Sequence, residues 1–351
     1  MSKRITIAAA LVLVVVAVAG VLGLRWWEDS HASDLERAAA FAPYDAQRLS
    51  WTDWADVRSE VGASLDAASS GEDLQDFLDA GFDADLTSAS ALIGSAELLQ
   101  TRFGFSPATA EWELFSQSES GAVVIVQLPE DTDFDTLAGQ LEDAGFERPS
   151  DDDGVWNGGA ALLPEIGSGL TPELQYVALD ADEHLVLTSD TADYLEETVD
   201  RLGEDDLPEP MTDVVAASGD ALTASVYDGE HTCTSLAMSQ ADPSDEEQAD
   251  QLLAEAGEVN PVAGFAMSVQ ADGGVRVVMA FENADQARTN ADTRAVLAGG
   301  PAPGQGGDFG DRFAVESVSA DGDLVTMDLQ PRTAAFVFSD LSTGPVLFAT
   351  C

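Results

Sequence analysis

The longest apolar stretch of the chain lies near its beginning. Residues 5–24 contain no charged side chain. A helix of this length is roughly 30 Å long, which matches the hydrocarbon core of a bilayer. Lys3 and Arg4 precede the stretch, and acidic residues follow soon after it. Because basic residues stay on the cytoplasmic side, we expect residues 1–27 to form a cytoplasmic tip and a single transmembrane anchor in the plasma membrane. The rest of the chain would be extracytoplasmic.

A cleaved signal peptide is the alternative interpretation of this start. The tripeptide Ala17-Val18-Ala19 has the small-x-small form of a processing site. That site lies inside the apolar stretch, however, and the stretch is longer than the usual ~7–15-residue core of a signal peptide. The pattern therefore favours an uncleaved anchor and leaves cleavage open.

The next apolar positions have helical spacing. We expect residues 28–50 to form a juxtamembrane stalk and residues 51–106 to be helical, because Trp51, Trp54 and Val57 recur at i, i+3 and i+6 on one face. The tryptophan pair could stack on a ligand, but tryptophan at this spacing is more often part of a core.

From residue 111 the pattern changes to short strands mixed with helices. Residues 112–115 and 122–128 predict a hairpin, and residues 134–144 predict a helix that ends at Gly145. A strand–turn–strand–helix pattern then occurs three times, beginning at residues 176, 264 and 313. This regularity predicts an α+β fold in which antiparallel sheets carry helices on one face.

Two loops divide the predicted ectodomain. The segment 204–211 is acidic and contains two prolines, which indicates a boundary between a first lobe at 51–205 and a second α+β lobe at 212–351. The glycine-rich segment 299–310 follows a predicted helix and lacks lysine. It therefore predicts a surface loop and not a phosphate-binding loop.

The charge of the chain narrows the classes of partner. There are 65 acidic and 14 basic residues, and the formal net charge is −51. Residues 26–351 carry 11 arginines and all 65 acids, which gives 11 − 65 = −54. Such a field repels nucleic acid, so we expect no nucleic-acid binding and a cationic or neutral partner in the cell envelope. Because 45% of residues are hydrophobic, the acidity does not indicate disorder.

Cys233 and Cys351 are the two cysteines of the sequence. In an oxidising compartment such a pair predicts one disulfide bond, with two free thiols as the alternative. The bridge would close a loop of more than a hundred residues and hold the last residue of the chain in place.

Other reactive groups do not form a recognisable catalytic or metal-binding pattern. The three histidines, His31, His184 and His231, lack the spacing of a zinc site, and no cofactor-binding motif occurs. His231 could pair with the Cys233 thiol if that thiol were free. Acidic turns at 151–153, 180–182 and 321–323 offer oxygen ligands for calcium but do not match an EF-hand loop. No catalytic residue can be named among 65 carboxylates.

Three segments carry a resemblance to a protein family. They are WTDWADVR at residues 51–58, LEDAGF at 141–146 and the closing GPVLFATC at 344–351. Together with the basic start and single span, they resemble a family of N-terminally anchored exported proteins of actinobacteria that has no assigned activity. The resemblance implies an address and an architecture, and it carries over no functional residue.

Three functions remain as hypotheses. The leading hypothesis is a non-enzymatic, membrane-anchored protein that binds or scaffolds a component of the cell envelope. The second is an exported hydrolase of cell-wall polymer, which would need two apposed carboxylates in a cleft. The third is a binder of a small apolar ligand, which would need a large apolar pocket.

Overall fold

A computed structural model describes residues 32–151, 154–204 and 207–351. The predicted membrane anchor at 5–24 lies outside these residues. Within the described ranges, no helix combines the length and apolar character needed to cross a bilayer.

The described chain is built around one eleven-stranded sheet in which every neighbouring pair is antiparallel. Its spatial order is β10-β11-β9-β8-β7-β1-β2-β3-β6-β5-β4. The strands are β1 (Arg48–Asp53), β2 (Trp112–Gln117), β3 (Ala122–Gln127), β4 (Trp156–Asn157), β5 (Tyr176–Asp180), β6 (Leu185–Ser189), β7 (Ala221–Asp228), β8 (Gly264–Gln270), β9 (Val275–Ala280), β10 (Phe313–Asp321) and β11 (Leu324–Pro331).

The strand order repeats on the two sides of the sheet centre. Read outward, one half has the order β1, β2, β3, β6, β5, followed by the two-residue edge strand β4, and the other has β7, β8, β9, β11, β10. Each half therefore consists of a lead strand, a hairpin, and a second hairpin added in reverse order. Because β1 and β7 pair antiparallel, corresponding strands of the two halves run in opposite directions.

Helices cover both faces of the sheet. In the described ranges, the helices of six or more residues are α1 (Asp34–Ala39), α2 (Trp54–Glu60), α3 (Gly71–Asp83), α4 (Phe134–Ala144), α5 (Gly159–Ile166), α6 (Ala192–Asp200), α7 (Glu209–Ser218), α8 (Pro243–Ala256), α9 (Ala284–Ala298) and α10 (Val337–Ser342). Helices α1, α6 and α7 pack on one face and the others on the opposite face, so the expectation of helices on one face only was wrong. The alternation along β3 explains this arrangement: Val123 and Ile125 belong to one core, and Val124 and Val126 belong to the other.

The first predicted helix is a strand followed by a helix. Leu49 and Trp51 of β1 pack in the core that contains α1, α6 and α7. Asp53 then caps α2, because its Oδ1 accepts a hydrogen bond of 2.9 Å from the Asp56 N–H. The helical spacing of Trp51 and Trp54 is therefore a coincidence, since the chain changes from strand to helix between them.

The described part of the predicted stalk is folded against the sheet. Ser33 and Glu36 form a capping box that starts α1. Leu35 and Ala38 of this helix are buried against α7 and neighbouring strands. The segment is apolar on one face and polar on the other, and this pattern fits a packed helix better than a solvated stalk.

The three predicted hairpin–helix units are present, with two local differences. The helix of the first unit is capped at Thr191 instead of Asp190, and the helix of the third unit begins at Val337 instead of near residue 332. His184 is not part of a strand, because it adopts a left-handed conformation (φ 56°) in the turn before β6. The units join a single sheet and do not form separate sheets.

In chain order, the segment 204–211 falls between β6 and β7, and its residues 209–211 are the start of α7. The sheet itself continues from one half to the other through the β1–β7 pair. The division of the ectodomain into two lobes at this segment stays a prediction.

The C-terminal segment is held by a disulfide bond and by a buried arginine. Cys233 and Cys351 are joined with a Cα–Cα distance of 5.6 Å. Arg294 of α9 is fully buried and donates to the carbonyl oxygens of Asn260 (2.6 Å), Phe348 (2.9 Å) and Thr350 (2.5 Å). Burial lowers the pKa of Arg294 to about 9.

Removing the disulfide should lower the stability of the fold. The loop between the cysteines spans 118 residues, and in the chain-entropy model such a loop contributes up to about 4–5 kcal/mol. We expect the double variant Cys233→Ser/Cys351→Ser to lose several kcal/mol of unfolding free energy in urea titrations. Equal stability of the variant and the oxidised protein would contradict this role.

Replacing the buried arginine should also be costly. Arg294→Met would remove the donor from three carbonyl oxygens, one in a buried and two in part-buried hydrogen bonds, so we expect a loss of about 3 kcal/mol in the same titrations. Arg288→Met is the matched control on the same helix, because Arg288 is exposed and pairs with exposed Asp285. The control should change stability by less than about 0.5 kcal/mol. Similar losses in both variants would show that the carbonyl contacts are unimportant.

Candidate functional site

The most strongly charged cavity lies where β1 ends and β2 begins. We call it the acidic groove, and it has a volume of about 410 Å³. Its lining comes from α1, from the β1–α2 junction and from the open end of the β2–β3 hairpin, where β2 begins and β3 ends. The lining residues are Asp34, Asp53, Ala55, Asp56, Glu111, Trp112, Gln127, Leu128, Pro129 and Glu130.

Backbone hydrogen bonds fix the floor of the acidic groove. The Ala55 N–H donates to the Glu111 carbonyl oxygen at 2.9 Å, and the Glu111 N–H donates to the Gln127 carbonyl oxygen at 2.8 Å. These bonds tie the start of α2 to the entry of β2 and the exit of β3. The Asp53, Asp56 and Glu111 side chains are therefore presented from a rigid backbone.

Asp53 is a buried carboxyl group of the groove with a raised pKa. It is 7% exposed, and burial raises its pKa to about 6. The bond from the Asp56 N–H opposes this shift, while the negative charges of Asp56 and Glu111 add to it. Arg58 lies close enough to lower the pKa of Asp53 slightly, but its Nη1 donates to the carbonyl oxygens of Pro107 and Ala110.

An aromatic side chain forms one wall of the acidic groove. The Trp112 ring lies 5.5 Å from the Trp51 ring and 6.4 Å from the Phe41 ring, measured between centroids. This packing holds the indole in one position. Carboxylates beside an aromatic ring are a combination that binds amines and guanidinium groups, through charge pairing and cation–π attraction.

A second buried carboxyl group, Glu113, lies on β2 but on the opposite face of the sheet. Its Oε2 accepts from Trp54 Nε1 (3.1 Å) and Ser90 Oγ (2.6 Å), and its Oε1 accepts from the Ala91 N–H (2.6 Å). Glu113 is 1% exposed, and burial raises its pKa to about 7 despite these donors. Its contacts bind the loop at residues 90–92 to the sheet, so its role is structural.

The residues singled out from the sequence do not form a reactive centre. Cys233 is in the disulfide bond, so His231 has no thiol beside it to activate. Asp180 Oδ1 accepts from the Asp182 and Glu183 N–H groups, which is the local role of an aspartate in a turn. Among the described residues, no three metal-ligating side chains converge on one point.

Two other cavities have mixed linings. One of about 380 Å³ lies beside α2 and α3 and includes Val61, Leu65, Asp73 and Phe77. Another of about 180 Å³ lies between α1 and α7. The first is large enough for a small molecule. Binding of a small apolar ligand stays a prediction.

Comparison with known proteins identifies no relative for this chain. No protein-family model matches it, and no curated protein shows detectable sequence similarity. Two solved structures, titled "Structure of crystal form I of TP0453" and "Structure of crystal form III of TP0453", are 7% and 9% identical to it. They cover 88% and 87% of this chain, and the matches include 97% and 98% of their own chains. Both TM-scores are 0.39, which is too low to support an argument about fold or function.

The residues of the acidic groove could not be selected from the sequence. They come from positions 34, 53, 56, 111 and 130, and their proximity depends on which strands pair. One local signal was present, because Asp53 stands directly before a helical pattern in Trp-Thr-Asp-Trp. An aspartate in this place indicates a helix cap, and the cap brings its carboxylate to the groove.

Glu113 should make stability depend on pH. Its folded pKa of about 7 exceeds the ordinary value of 4.5, so the folded state holds the proton more tightly. The free energy of unfolding should therefore fall by about 3 kcal/mol as pH rises from 4.5 through 7. In Glu113→Gln this component should be absent, and urea titrations across that pH range should give a flatter profile. An unchanged slope in the variant would show that Glu113 does not titrate there.

Proposed function

We propose that this protein is a membrane-anchored, extracytoplasmic binding protein whose acidic groove captures a cationic group of an envelope partner. One observation carries the proposal: carboxylates from α1, the β1–α2 junction and the entry of β2 line, together with Trp112, one groove of about 410 Å³. A volume of this size is typical of sites for small ligands or for one or two side chains.

The chemistry of the groove selects the charge and the shape of the ligand. Asp53, Asp56 and Glu111 accept hydrogen bonds and attract positive charge, and the adjacent Trp112 ring favours a flat or methylated cation. Two arginines moderate this charge at the margins, because Arg37 pairs with Asp34 and Arg58 lies near Glu111. The fitting ligands are an alkyl ammonium or guanidinium group, as on a basic side chain or a polyamine.

The position of the groove relative to the predicted anchor restricts where the partner lies. Asp34, which lines the groove, follows the predicted span at 5–24 by ten residues. Ten residues extend at most about 36 Å, so the groove would lie within that distance of the membrane surface. We therefore expect the partner's cationic group to be membrane-proximal.

Neutralising the groove should weaken binding of a cationic peptide. We expect the full chain to bind hexalysine in isothermal titration at low salt, and Asp53→Asn/Glu111→Gln to reduce affinity at least about tenfold. Asn keeps the helix-capping ability of Asp53, so the fold should be retained. Asp250→Asn is the matched control, because Asp250 is an exposed residue of α8 outside the groove.

Two further conditions test the same site. Affinity should fall as salt rises, because exposed charges are screened beyond about 10 Å at 0.1 M. It should also fall as pH drops through about 6, because Asp53 then becomes protonated and loses its charge. Equal losses in the groove variant and in Asp250→Asn would show that the peptide binds the general acidic surface, and the proposal would be wrong.

A second candidate function rests on the acidity of Asp53. Burial raises the pKa of Asp53 to about 6, and the carboxyl groups of Asp56 and Glu111 line the same groove. Glycoside hydrolysis uses two carboxyl groups, one of which is an acid with a raised pKa. The purified full chain would then release fragments from cell-wall polymer. That release should disappear in Asp53→Asn while circular dichroism stays unchanged. Absence of any release from the unaltered protein would rule out this second function for the polymers tested.

A further inference from the structure

We propose a second binding site, separate from the acidic groove, in which Arg48 and His231 hold an oxyanion such as a carboxylate or phosphate group. The two residues lie at the end of β1 opposite to Asp53. Five residues separate Arg48 from Asp53, which is about 17 Å along a strand. The two sites are therefore independent, and this proposal does not rest on the proposed function.

Arg48 is unusual for an arginine in so acidic a chain. It is partly buried, and its guanidinium forms no hydrogen bond or ion pair with any residue in the described ranges. Its Nε is buried without an acceptor. Buried donors are almost always paired in folded proteins, by protein groups, water or a ligand. Although the sequence has 65 carboxylates, none of those in the described ranges pairs with Arg48, so its donors are available to an acceptor from outside the chain.

The surroundings of Arg48 hold it in one orientation. Its guanidinium carbon lies 5.5 Å from the centre of the Tyr227 ring, and the His231 ring stacks on Tyr227 at 5.6 Å with an interplanar angle of 10°. The Tyr227 hydroxyl donates to the Ser342 carbonyl oxygen at 3.0 Å. Arg48 and His231 therefore both contact the Tyr227 ring, the charge of Arg48 acts on His231, and the Tyr227 hydroxyl is engaged elsewhere.

Neighbouring groups complete the site and set its limits. Gln117 stands directly opposite Arg48 in the β1–β2 pairing, so its amide extends from the same face and can donate to the same anion. Asp228 is the acid whose charge acts on His231. Its Oδ1 accepts a 2.6 Å hydrogen bond from the backbone N–H of His231. That carboxylate caps the turn at 229–231 and leaves the guanidinium without a partner.

The electrostatics of His231 provide a measurable signal. Its pKa is lowered by burial and by the charge of Arg48, while Asp228 raises it. An anion bound between Arg48 and His231 would favour the imidazolium form and raise this pKa. By linkage, the anion would bind more tightly at lower pH.

The experiment follows the three histidine signals of the full chain in a nonionic detergent by NMR, during titration with inorganic phosphate and, separately, with acetate. We expect phosphate, acetate or both to raise the His231 pKa with saturable dependence on concentration, while the signals of His31 and His184 stay unchanged. The anion that binds with the higher affinity identifies the ligand group as phosphate or carboxylate. Sodium chloride at equal ionic strength should give a smaller, non-saturating change.

Arg48→Gln should lower the affinity for the more tightly bound anion at least about tenfold, because the guanidinium supplies the bidentate donors. Arg102→Gln is the control, because Arg102 is an exposed arginine that lies outside the site. It should leave the titration unchanged. If Arg48→Gln does not fold, Arg48→Lys tests the same point, since lysine keeps the charge but lacks the fork.

Three results would overturn the proposal. They are the absence of a saturable change with either anion, an equal change with sodium chloride, or an equal affinity in the folded Arg48 variant. Each would mean that Arg48 serves only to pack against Tyr227.

Discussion

The pairing of β1 with β7 is the interaction on which the architecture depends. It joins the two halves of the sheet over the register from Arg48–Tyr227 to Thr52–Thr223. Side chains reinforce it, because Trp51 Nε1 donates to the Ala221 carbonyl oxygen and Thr223 Oγ1 donates to the Trp51 carbonyl oxygen, both at 2.9 Å. Since both edges of β1 and β7 are bonded, neither strand meets solvent along an edge. Both faces of these strands carry buried side chains that belong to two different cores, and helices cover the sheet on each side.

The strong negative charge makes the interior groups more important to stability. Mutual repulsion of surface carboxylates opposes the compact state, so the apolar cores and internal hydrogen bonds must offset it. The two most deeply buried charged groups are compensated in different ways. Glu113 accepts bonds from an indole, a hydroxyl and a backbone amide, whereas Arg294 donates to three carbonyl oxygens. Neither has an opposite charge as its direct hydrogen-bonding partner, and each fixes a segment that the sheet alone would not hold.

Local sequence patterns predicted the hairpins and the helices that follow them better than the lead strands β1 and β7. The helix Phe134–Ala144 and the hairpins after residues 176, 264 and 313 have clear alternation, turn residues and caps, and they occur as predicted. The central strand β1 was taken for part of a helix, because a strand buried on both faces lacks alternation and continues directly into α2. The same limit applies to β7, whose eight residues are nearly all buried.

The acidic groove illustrates why a site is harder to predict than an element. Its carboxylates were all visible in the sequence, but 65 candidates cannot be sorted without knowing that β1 pairs with β2 and that Ala55 bonds to Glu111. The disulfide was simpler, because two cysteines allow one intramolecular pairing. Likewise, Arg48 stands out only when its neighbours are known, since its lack of an acidic partner is a property of the fold.

The raised pKa of Asp53 couples the occupancy of the groove to its charge. Burial keeps this carboxyl partly protonated near pH 6, at the expense of attraction for a cation. A bound ammonium or guanidinium group would stabilise the ionised form and lower that pKa, so binding would release a fraction of a proton at this pH. The coupling is reciprocal. Each pKa unit by which the cation lowers the pKa of Asp53 corresponds to a tenfold higher affinity of the cation for the groove with ionised Asp53 than for the groove with protonated Asp53. The groove would therefore hold a cationic partner tightly at neutral pH and release it as the surroundings become acidic.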